Sequence, residues 1–287
     1  MNNTCPVGPS VALQPVWDAL RSHDALLLSP FFPAFIAFAA HLAMSLPFLA
    51  LDLLGPRCAT LHRYRIPRIR VQPASVQVWW QCLLRIARKH LAVIVPVTLL
   101  IQRVRTPSLP AEAPSCARAL TEVTLCLLLF DSLYFAWHIS IHRVPQMFQL
   151  MHSAHHQHRD TFALAAQDSS IWELLSLQVL ALSITALLGC HPLSEVVFHL
   201  LNLWLAVEYH CGYDLPWATH RLVPFHLLGG APFHQAHHQL LRGNYAPYFT
   251  HWDHLFGTYL EIPKDRPAHL LLGKKKDLKD AASISRT

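Results

Sequence analysis

The chain has 287 residues, of which 53% are hydrophobic and only 14% are charged, with a formal net charge of +6. Soluble domains carry roughly 25% charged residues, so this composition argues against a pair of soluble domains and favours one compact unit with several membrane segments. The positive charge suits the surface of an anionic membrane better than nucleic acid, because no basic stripe is interleaved with aromatic residues. The seven cysteines form no CxxC pair, which indicates reduced thiols on a cytosol-facing body.

The first predicted elements are a turn-rich N-terminal segment and one membrane span. Residues 1–30 hold a glycosylation sequon at Asn2-Asn3-Thr4 and show no signal-peptide pattern. The run 31–54 is apolar and long enough to cross a bilayer core of about 30 Å. A loop rich in arginine follows, and the positive-inside rule places it in the cytosol and residues 1–30 in the lumen. Its basic residues are Arg57, Arg63, Arg65, Arg68 and Arg70.

Two further spans are predicted within residues 31–137. The second is the weaker, because the apolar run 91–101 is short. It crosses a membrane only if its helix begins near Val76 or tolerates Arg85, Arg88 and Lys89 at its mouth. Pro96 inside this run is expected to kink the helix. The third span is the apolar run 119–137.

The apolar block 171–209 is expected to form a helical hairpin, or one re-entrant pair, because Gly189 and Pro192 interrupt it. Counting the membrane crossings then assigns each segment to one side of the membrane. With the arginine-rich loop in the cytosol, the third span and the second arm of the hairpin both end on the cytosolic side. The histidine clusters and the basic tail 263–287 therefore share that side. If the second span is re-entrant, the N-terminus faces the cytosol and the histidine clusters stay where they are.

Histidine is concentrated in one part of the chain: 16 of the 21 histidines lie between His138 and His254. Eight of them form clusters spaced HxxxH, HxxHH and HxxHH, which predict imidazoles on one face of a helix. Eight ligands are too many for one zinc ion, which closes at four, so the pattern indicates two metals, and imidazole is a good ligand for iron. A zinc-stapled fold and a metal-buffering surface tract fit this number and spacing poorly. The eight residues are His138, His142, His152, His155, His156, His234, His237 and His238.

These clusters resemble the signature of the fatty acid hydroxylase superfamily, which comprises membrane non-haem diiron oxygenases. Within it, the chain is most similar to the vertebrate sterol hydroxylases, from Leu13 up to residue 262, and the tail from Pro263 lies outside the resemblance. Three stretches carry this likeness more specifically than the histidines do, since desaturases share related histidine patterns. They are LLGCHPL at 187–193, THRLVPF at 219–225 and APYFTHWD at 246–253.

The resemblance implies an all-α, polytopic membrane bundle with a cytosol-facing diiron centre and a catalytic domain over residues 138–262. It carries the metal-ligand role to the eight cluster histidines and adds His210, because HCGY at 210–213 is similar to the family's HSGY. Fatty acid 2-hydroxylases have another histidine where this chain has Ala206. Either the site has one ligand fewer, or a water or another residue such as Glu208 completes it. Polar neighbours that are candidates for orienting the imidazoles are Asp131, Asn244, Asp253 and His254.

The resemblance further implies a monooxygenase of the endoplasmic reticulum membrane. It would hydroxylate cholesterol at C25 with two iron ions, O2 and electrons from an external NADPH-linked donor, since the chain has no GxGxxG or P-loop pattern. The nearest alternative is another sterol or fatty acyl oxidation on the same scaffold, such as sterol C4-methyl oxidation or desaturation. The alternative from a different class is a membrane metal carrier or buffer, although a carrier needs polar residues that face one another in mid-span. The residues leave the oligomeric state open.

Overall fold

The computed structural model describes residues 12–66, 73–105 and 108–260, and in these ranges the regular secondary structure is helical, with turns, loops and two isolated β-bridges between the helices. The all-α prediction is therefore confirmed. The sequon at Asn2, the arginines Arg68 and Arg70, and the tail 263–287 lie outside the described residues. The α-helices are α1 (Gln14–Arg21), α2 (Asp24–Leu27), α3 (Phe32–Leu54), α4 (Ala59–His62), α5 (Val76–Lys89), α6 (Val95–Val104), α7 (Cys116–Arg143), α8 (Pro145–Met147), α9 (Ile171–Leu187), α10 (Pro192–His210), α11 (Thr219–Leu222), α12 (Gly230–Leu240) and α13 (His251–Leu255).

Two of these helices are long and apolar enough to cross a membrane, Phe32–Arg57 and Cys116–Arg143. They correspond to the first and third predicted spans. The predicted hairpin consists of α9, a shorter apolar helix, and α10. Its turn contains Gly189 with a φ of 58°, and Pro192 is the first residue of α10, where its missing N–H costs nothing.

The second predicted span is a nearly continuous helix over 76–104 whose middle is wound differently from its ends. Five residues, His90–Ile94, form a π turn between α5 and α6, and Pro96 follows in the first turn of α6. Proline lacks the N–H that would bond one turn back, so the hydrogen-bond ladder is interrupted at this point. At Pro96, where the sequence predicted a kink, the structure has a π turn just before the proline.

Three serines begin long helices in the same way. The side chains of Ser75, Ser115 and Ser170 each accept a hydrogen bond from the backbone N–H three residues later, at the starts of α5, α7 and α9. Such a cap typically stabilises a helix by about 1 kcal/mol, because it satisfies an N–H that has no partner within the helix. The caps fix where these helices begin, and hence the register of the histidines on α7.

The long helices run between two ends of one bundle. At the first, which we call the hairpin end, Trp17 of α1 donates its indole N–H to Pro110 O at 2.8 Å. The same ring meets the His191 ring, in the hairpin turn, at 4.9 Å between centroids. Arg105 after α6 forms a bidentate ion pair with Glu195 near the start of α10. The loop before α7, the end of α6 and the hairpin turn therefore meet here.

At the opposite end, which we call the histidine end, the chain leaving α3 pairs with the chain leaving α10. Ile66 N–H donates to Gly212 O at 3.1 Å, and Asp214 N–H donates to Tyr64 O at 2.7 Å. His210, the last residue of α10, lies beside this pairing, and α7 also ends on this side. The helices that carry histidines therefore direct them to one end of the bundle.

The central helix of the bundle is α10, which packs against α7, α12, α3 and the 3₁₀ segment Ala163–Gln167. Phe198 and Val207 on this helix have no exposed surface. Because α7 and α12 both pack on α10, the first and third histidine clusters are brought to His210.

Candidate metal centre

The structure brings all nine candidate ligands together in two adjacent groups. Within each group the ligand atoms lie within 4.8 Å of one another. We call the larger group the five-histidine centre and the smaller the four-histidine centre. The five-histidine centre contains His138, His142, His152, His156 and His237. The four-histidine centre contains His155, His210, His234 and His238.

The first and third clusters lie on α-helices, as predicted, but the second does not. His152 ends a π turn, Phe148–His152, and His155 begins a 3₁₀ turn, His155–Gln157. Ser153 N–H donates to Phe148 O at 2.8 Å, the five-residue bond of a π turn. The prediction of one α-helical face for this cluster is therefore wrong. The wider turn sets these imidazoles at angles that a regular helix would not give.

Each HxxHH cluster divides its histidines between the two centres. In the second cluster, His152 and His156 belong to the five-histidine centre and His155 belongs to the other. In the third cluster the assignment is reversed: His234 and His238 serve the four-histidine centre, and His237 crosses to the five-histidine centre. On α12, residues four apart differ by about 40° around the axis, whereas adjacent residues differ by about 100°. The i, i+4 pair therefore converges on one point and the remaining histidine points to another.

The Nε2 atoms converge at distances that suit binding to a shared ion. Two nitrogens bound to one metal at about 2.1 Å and at right angles to each other are roughly 3.0 Å apart. In the five-histidine centre the Nε2–Nε2 distances are 2.8 Å for His138–His152, 3.2 Å for His142–His156 and 3.0 Å for His156–His237. In the four-histidine centre they are 3.1 Å for His155–His210, 3.0 Å for His210–His234 and 3.0 Å for His234–His238.

Backbone carbonyls fix which ring nitrogen carries the proton. The Nδ1 atoms of His138, His237 and His210 lie 2.6–2.7 Å from backbone carbonyl oxygens, which can only accept. Their Nδ1 atoms must therefore be protonated, and each Nε2 lone pair faces its neighbours without a proton. The accepting carbonyls belong to Tyr245, Gly243 and Ala206. An unprotonated Nε2 can offer its lone pair to a metal ion, so the donor set fits a metal.

Burial also keeps these rings neutral. The loss of hydration, and then the other imidazoles nearby, hold the pKa of His155 and His238 well below its ordinary value, and the same holds for His156, His234 and His237. Neutral imidazole is the form that binds metal, so neither centre has to lose protons from its rings at neutral pH before it binds an ion.

Glu173 is a site residue that the sequence reasoning missed. It lies in the first turn of α9, is 2% exposed, and places Oε2 at 2.9 Å from His152 Nδ1. The N–H direction is not well aligned for a hydrogen bond, and Oε2 has no other partner among the described residues, so the contact is mainly electrostatic. A carboxylate there favours a proton on His152 Nδ1 and leaves Nε2 free. Its position as the one acid in the apolar helix α9 was the available signal.

The four polar residues that the sequence proposed as direct partners of the imidazoles have other contacts. Asp131 accepts from the backbone N–H groups of Tyr248 and Phe249, and Asp253 accepts from those of Tyr245 and Ala246. Their contacts hold the segment 243–249, which supplies two of the carbonyls that orient histidines.

Asn244 has a similar role, since its side chain donates to Phe233 O and bonds both backbone groups of Leu260. His254 stacks on Tyr259 with ring centroids 4.1 Å apart. In the described contacts none of the four residues touches a ligand ring. Asp131, Asn244 and Asp253 therefore do not orient the imidazoles directly, and instead they hold the loop whose carbonyls accept hydrogen bonds from the ligand rings.

Neither Ala206 nor Glu208 supplies a side chain as a tenth ligand. Ala206 contributes only its carbonyl, which accepts from His210 Nδ1 at 2.7 Å. Glu208 turns away from the centre and accepts from Thr219 N–H at 2.9 Å. Among the described residues, the smaller centre therefore gathers four imidazoles and no carboxylate.

A third group of potential ligands, Cys82, His158 and Asp168, is better explained as an ion-pair hub. Asp168 lies 2.6 Å from an Arg85 nitrogen and 2.9 Å from Lys89 Nζ. Although burial opposes its charge, hydrogen bonds from His158 and these two cations hold the pKa of Asp168 well below its usual range. Two cations already neutralise this carboxylate, so the hub fastens α5 to the second histidine cluster and leaves no negative charge for a metal.

One cavity reaches the five-histidine centre. It has a volume of about 680 Å³, and its lining includes the ligand His156 and the aromatic residues Phe148 and Phe162. Val78 of α5 and Arg159 also line it, so its wall contains both apolar and charged side chains. The cavity provides access to a ligand of a site that is otherwise buried.

The chain was compared with known proteins. The sequence profile described as fatty acid hydroxylase matches residues 123–258. A cholesterol 25-hydroxylase-like protein of Danio rerio is 48% identical over 86% of this chain and 97% of its own length. Cholesterol 25-hydroxylases of Rattus norvegicus and Homo sapiens are 47% and 46% identical, over 88% and 86% of this chain and 85% and 90% of their own. No solved structure matches. The chain therefore belongs to the fatty acid hydroxylase family of monooxygenases, in the group that contains the cholesterol 25-hydroxylases.

Proposed function

We propose that the chain is a membrane diiron monooxygenase that hydroxylates cholesterol at C25, with O2 and electrons from an external NADPH-linked donor. The observation that carries the proposal is the pair of buried histidine centres. The chain that holds them is 46–48% identical to two cholesterol 25-hydroxylases and to a cholesterol 25-hydroxylase-like protein. Sterol C4-methyl oxidation and fatty acyl oxidation are the alternatives on the same scaffold, and the test below separates them.

In this proposal the nine histidines hold two iron ions, one in each centre. The bound irons would supply the activation of O2 that an unactivated C–H bond requires. The chain's own contribution is to position and tune them. Backbone carbonyls direct the lone pairs of His138, His210 and His237 inward, Glu173 holds a proton on His152, and burial excludes water from the reacting groups.

The substrate side of the proposal depends on placement. The C25 position of cholesterol is a tertiary carbon, whose C–H bond is weaker than its neighbours, but the site must still present this carbon to the metals. The lining of the cavity beside His156 includes the aromatic residues Phe148 and Phe162, which suit a hydrocarbon side chain. We propose that the sterol tail approaches the centres there.

We also propose that the bundle is polytopic, in the endoplasmic reticulum membrane, with the hairpin end in the lumen and the histidine end in the cytosol. The support is that α3, α5–α6, α7 and both hairpin arms run between these ends, which is an odd number of crossings. Arg57, Arg63 and Arg65, the described arginines beyond α3, lie at the histidine end, as the positive-inside rule requires. Residues 1–30 would then be lumenal, and the tail 263–287 cytosolic.

Protease protection tests this orientation. In intact microsomes, a tag at the C-terminus of the full chain should be digested, while a tag at the N-terminus should survive until detergent is added. Protection of the C-terminal tag would contradict the orientation. Digestion of both tags would instead show that 76–104 does not cross the membrane, while the histidine end stays in the cytosol.

Sterol profiling tests the proposed reaction. The chain, expressed in cells that lack the activity, should produce 25-hydroxycholesterol, identified by mass spectrometry from the added oxygen and from the side-chain position. The variant His238→Ala, at equal expression, should produce none. A hydroxylated fatty acid, an oxidised C4 methyl group or a new double bond would replace the proposed substrate with an alternative. Metal accumulation without any oxidised lipid would favour a carrier.

Replacing Glu173 with glutamine is expected to lower turnover by about 10–100-fold, the range for outer partners of metal ligands. Glutamine keeps the shape of the side chain but cannot hold the His152 proton by charge. Iron affinity should fall together with turnover. The matched control is Glu195→Gln, the same change at the hairpin end, which should leave iron affinity as in the parent chain. Equal iron affinity in both variants would remove Glu173 from the site.

A further inference from the structure

Two cysteine thiols meet at the hairpin end of the bundle. Cys126 Sγ, on α7, lies 3.5 Å from Cys190 Sγ, in the turn between α9 and α10. Both thiols are free in this structure. Cys126 is about ten residues, or roughly 15 Å, along α7 from its first residue, and the hairpin turn rises to this level to meet it.

Charged groups surround the pair and place it at the level of water rather than hydrocarbon. Glu122, one turn before Cys126, accepts from the backbone N–H of His191, the residue after Cys190, at 3.1 Å. Arg118 donates to the same carboxylate at 2.6 Å. Charged side chains inside a membrane are costly, so a network of this kind marks the bundle's boundary and places the start of the membrane-spanning part of α7 after the predicted residue 119. Cys126 is buried, while Cys190 is partly exposed.

We propose that Cys126 and Cys190 form a disulfide that ties α7 to the turn of the α9–α10 hairpin. This inference rests on the proposed orientation, which puts the hairpin end in the lumen of the endoplasmic reticulum, where disulfides form and persist. Cys82 and Cys211 belong to the other end, since Cys211 follows His210 and Cys82 lies beside the Asp168 hub. They would stay reduced in the cytosolic environment.

The exchange chemistry needs an oxidant from the lumen, namely oxidised glutathione or a dithiol oxidoreductase in its disulfide form. The Cys190 thiolate, which is the more exposed, attacks a sulfur of that oxidant, forms a mixed disulfide and releases one thiol. The Cys126 thiolate then attacks the Cys190 sulfur and releases the second thiol. The two cysteines lose two electrons and two protons, and the oxidant's disulfide is reduced to two thiols.

The bond would join the two helices that carry ligands to the two centres. α7 carries His138 and His142 of the five-histidine centre, and the hairpin turn leads into α10, which ends at His210 of the four-histidine centre. The closed loop, 126–190, contains the whole second histidine cluster. The disulfide would therefore restrict separation of α7 from the hairpin in the unfolded chain and stabilise the folded bundle.

Differential alkylation of the full chain in intact microsomes tests the proposal. Free thiols are blocked with a permeant maleimide in the intact microsomes and again after denaturation, and the chain is then cut with trypsin and chymotrypsin without reduction. The expected result is a linked peptide pair, one from 119–143 and the other containing Cys190, that separates on reduction. The pair should be lost in Cys126→Ser and in Cys190→Ser. It should persist in Cys116→Ser, the matched change of an exposed thiol at the same end.

Alkylation of both thiols before reduction would overturn the proposal. An impermeant maleimide then shows whether the orientation has failed as well. If this reagent reaches Cys190 only after the microsomes are permeabilised, the hairpin end is lumenal and the disulfide alone is wrong. If it reaches Cys190 in sealed microsomes, the hairpin end faces the cytosol, and both the orientation and the disulfide are wrong. A linked pair that joins Cys190 to a cysteine other than Cys126 would also contradict the assignment.

Discussion

Replacing His237 with alanine is expected to lower hydroxylation by more than about 100-fold, beyond the upper end of the range for outer partners of metal ligands. His237 lies on α12, whose other two histidines serve the four-histidine centre, and its Nε2 is 3.0 Å from that of His156. The change therefore removes a ligand from one centre and a link between the two. Membrane insertion should be normal, because it depends on the apolar helices.

His155→Ala is the corresponding change in the other centre, since His155 belongs to the four-histidine centre whereas the other two histidines of its cluster belong to the five-histidine centre. It should lose activity to a similar extent. His62→Ala removes an exposed histidine of α4 and serves as the control, with turnover expected to match the parent chain. Product formation, iron content and membrane insertion are measured at equal expression. Full activity in either crossing variant would remove the diiron assignment.

Replacing His210 with alanine is expected to cost about half of the bound iron as well as turnover. The four-histidine centre would retain three imidazoles, whereas all five ligands of the other centre would remain. His210 Nε2 lies between two other ligands, 3.1 Å from that of His155 and 3.0 Å from that of His234, so its loss opens the middle of the group. Metal content per chain is the measurement, because a residue outside the coordination sphere would leave the metal largely bound.

The variant Ala206→His tests the same geometry by addition. Ala206 is one helical turn before His210 on α10, so a histidine there lies on the same face as His210 and offers the smaller centre a fifth imidazole. When iron is limiting, the iron occupancy of that centre should rise relative to the parent chain. Leu201→His adds a histidine elsewhere on the same helix and serves as the control. Unchanged metal content in both His210→Ala and Ala206→His would show that this end of α10 does not touch the centre.

Much of the site could be predicted from the intervals between histidines, because these intervals can be read directly from the sequence. The HxxxH cluster needs only that α7 be helical, and the apolar run before His138 predicts that. His210 came from a resemblance in four residues, and the structure sets its Nε2 against two cluster histidines. The sequence did not predict that His155 and His237 each belong to a different centre from the other two histidines of their clusters. Their assignment depends on how α12 and the second cluster are oriented relative to each other, which is a property of packing.

The parts that sequence reasoning missed depend on backbone contacts and on an irregular turn. The carbonyls of Tyr245, Gly243 and Ala206 orient ligands, but any residue carries a carbonyl, so no residue type reveals this role. Asp131 and Asp253 were recognised as unusual, and both are buried, but they hold the loop instead of the rings. The π turn that ends at His152 has no motif that distinguishes it from an α-helix.

The iron content of the purified, metal-replete chain tests the central claim most directly, when it is measured beside His210→Ala and His237→Ala. The account predicts about two iron ions per chain in the parent and about one in His210→Ala, which leaves three imidazoles in its centre. His237→Ala leaves four, the number that holds iron in the other centre, so this variant should hold its second ion more weakly than the parent does. One ion or none in the parent, or two tightly bound ions in both variants, would contradict the assignment of the nine histidines to two iron sites.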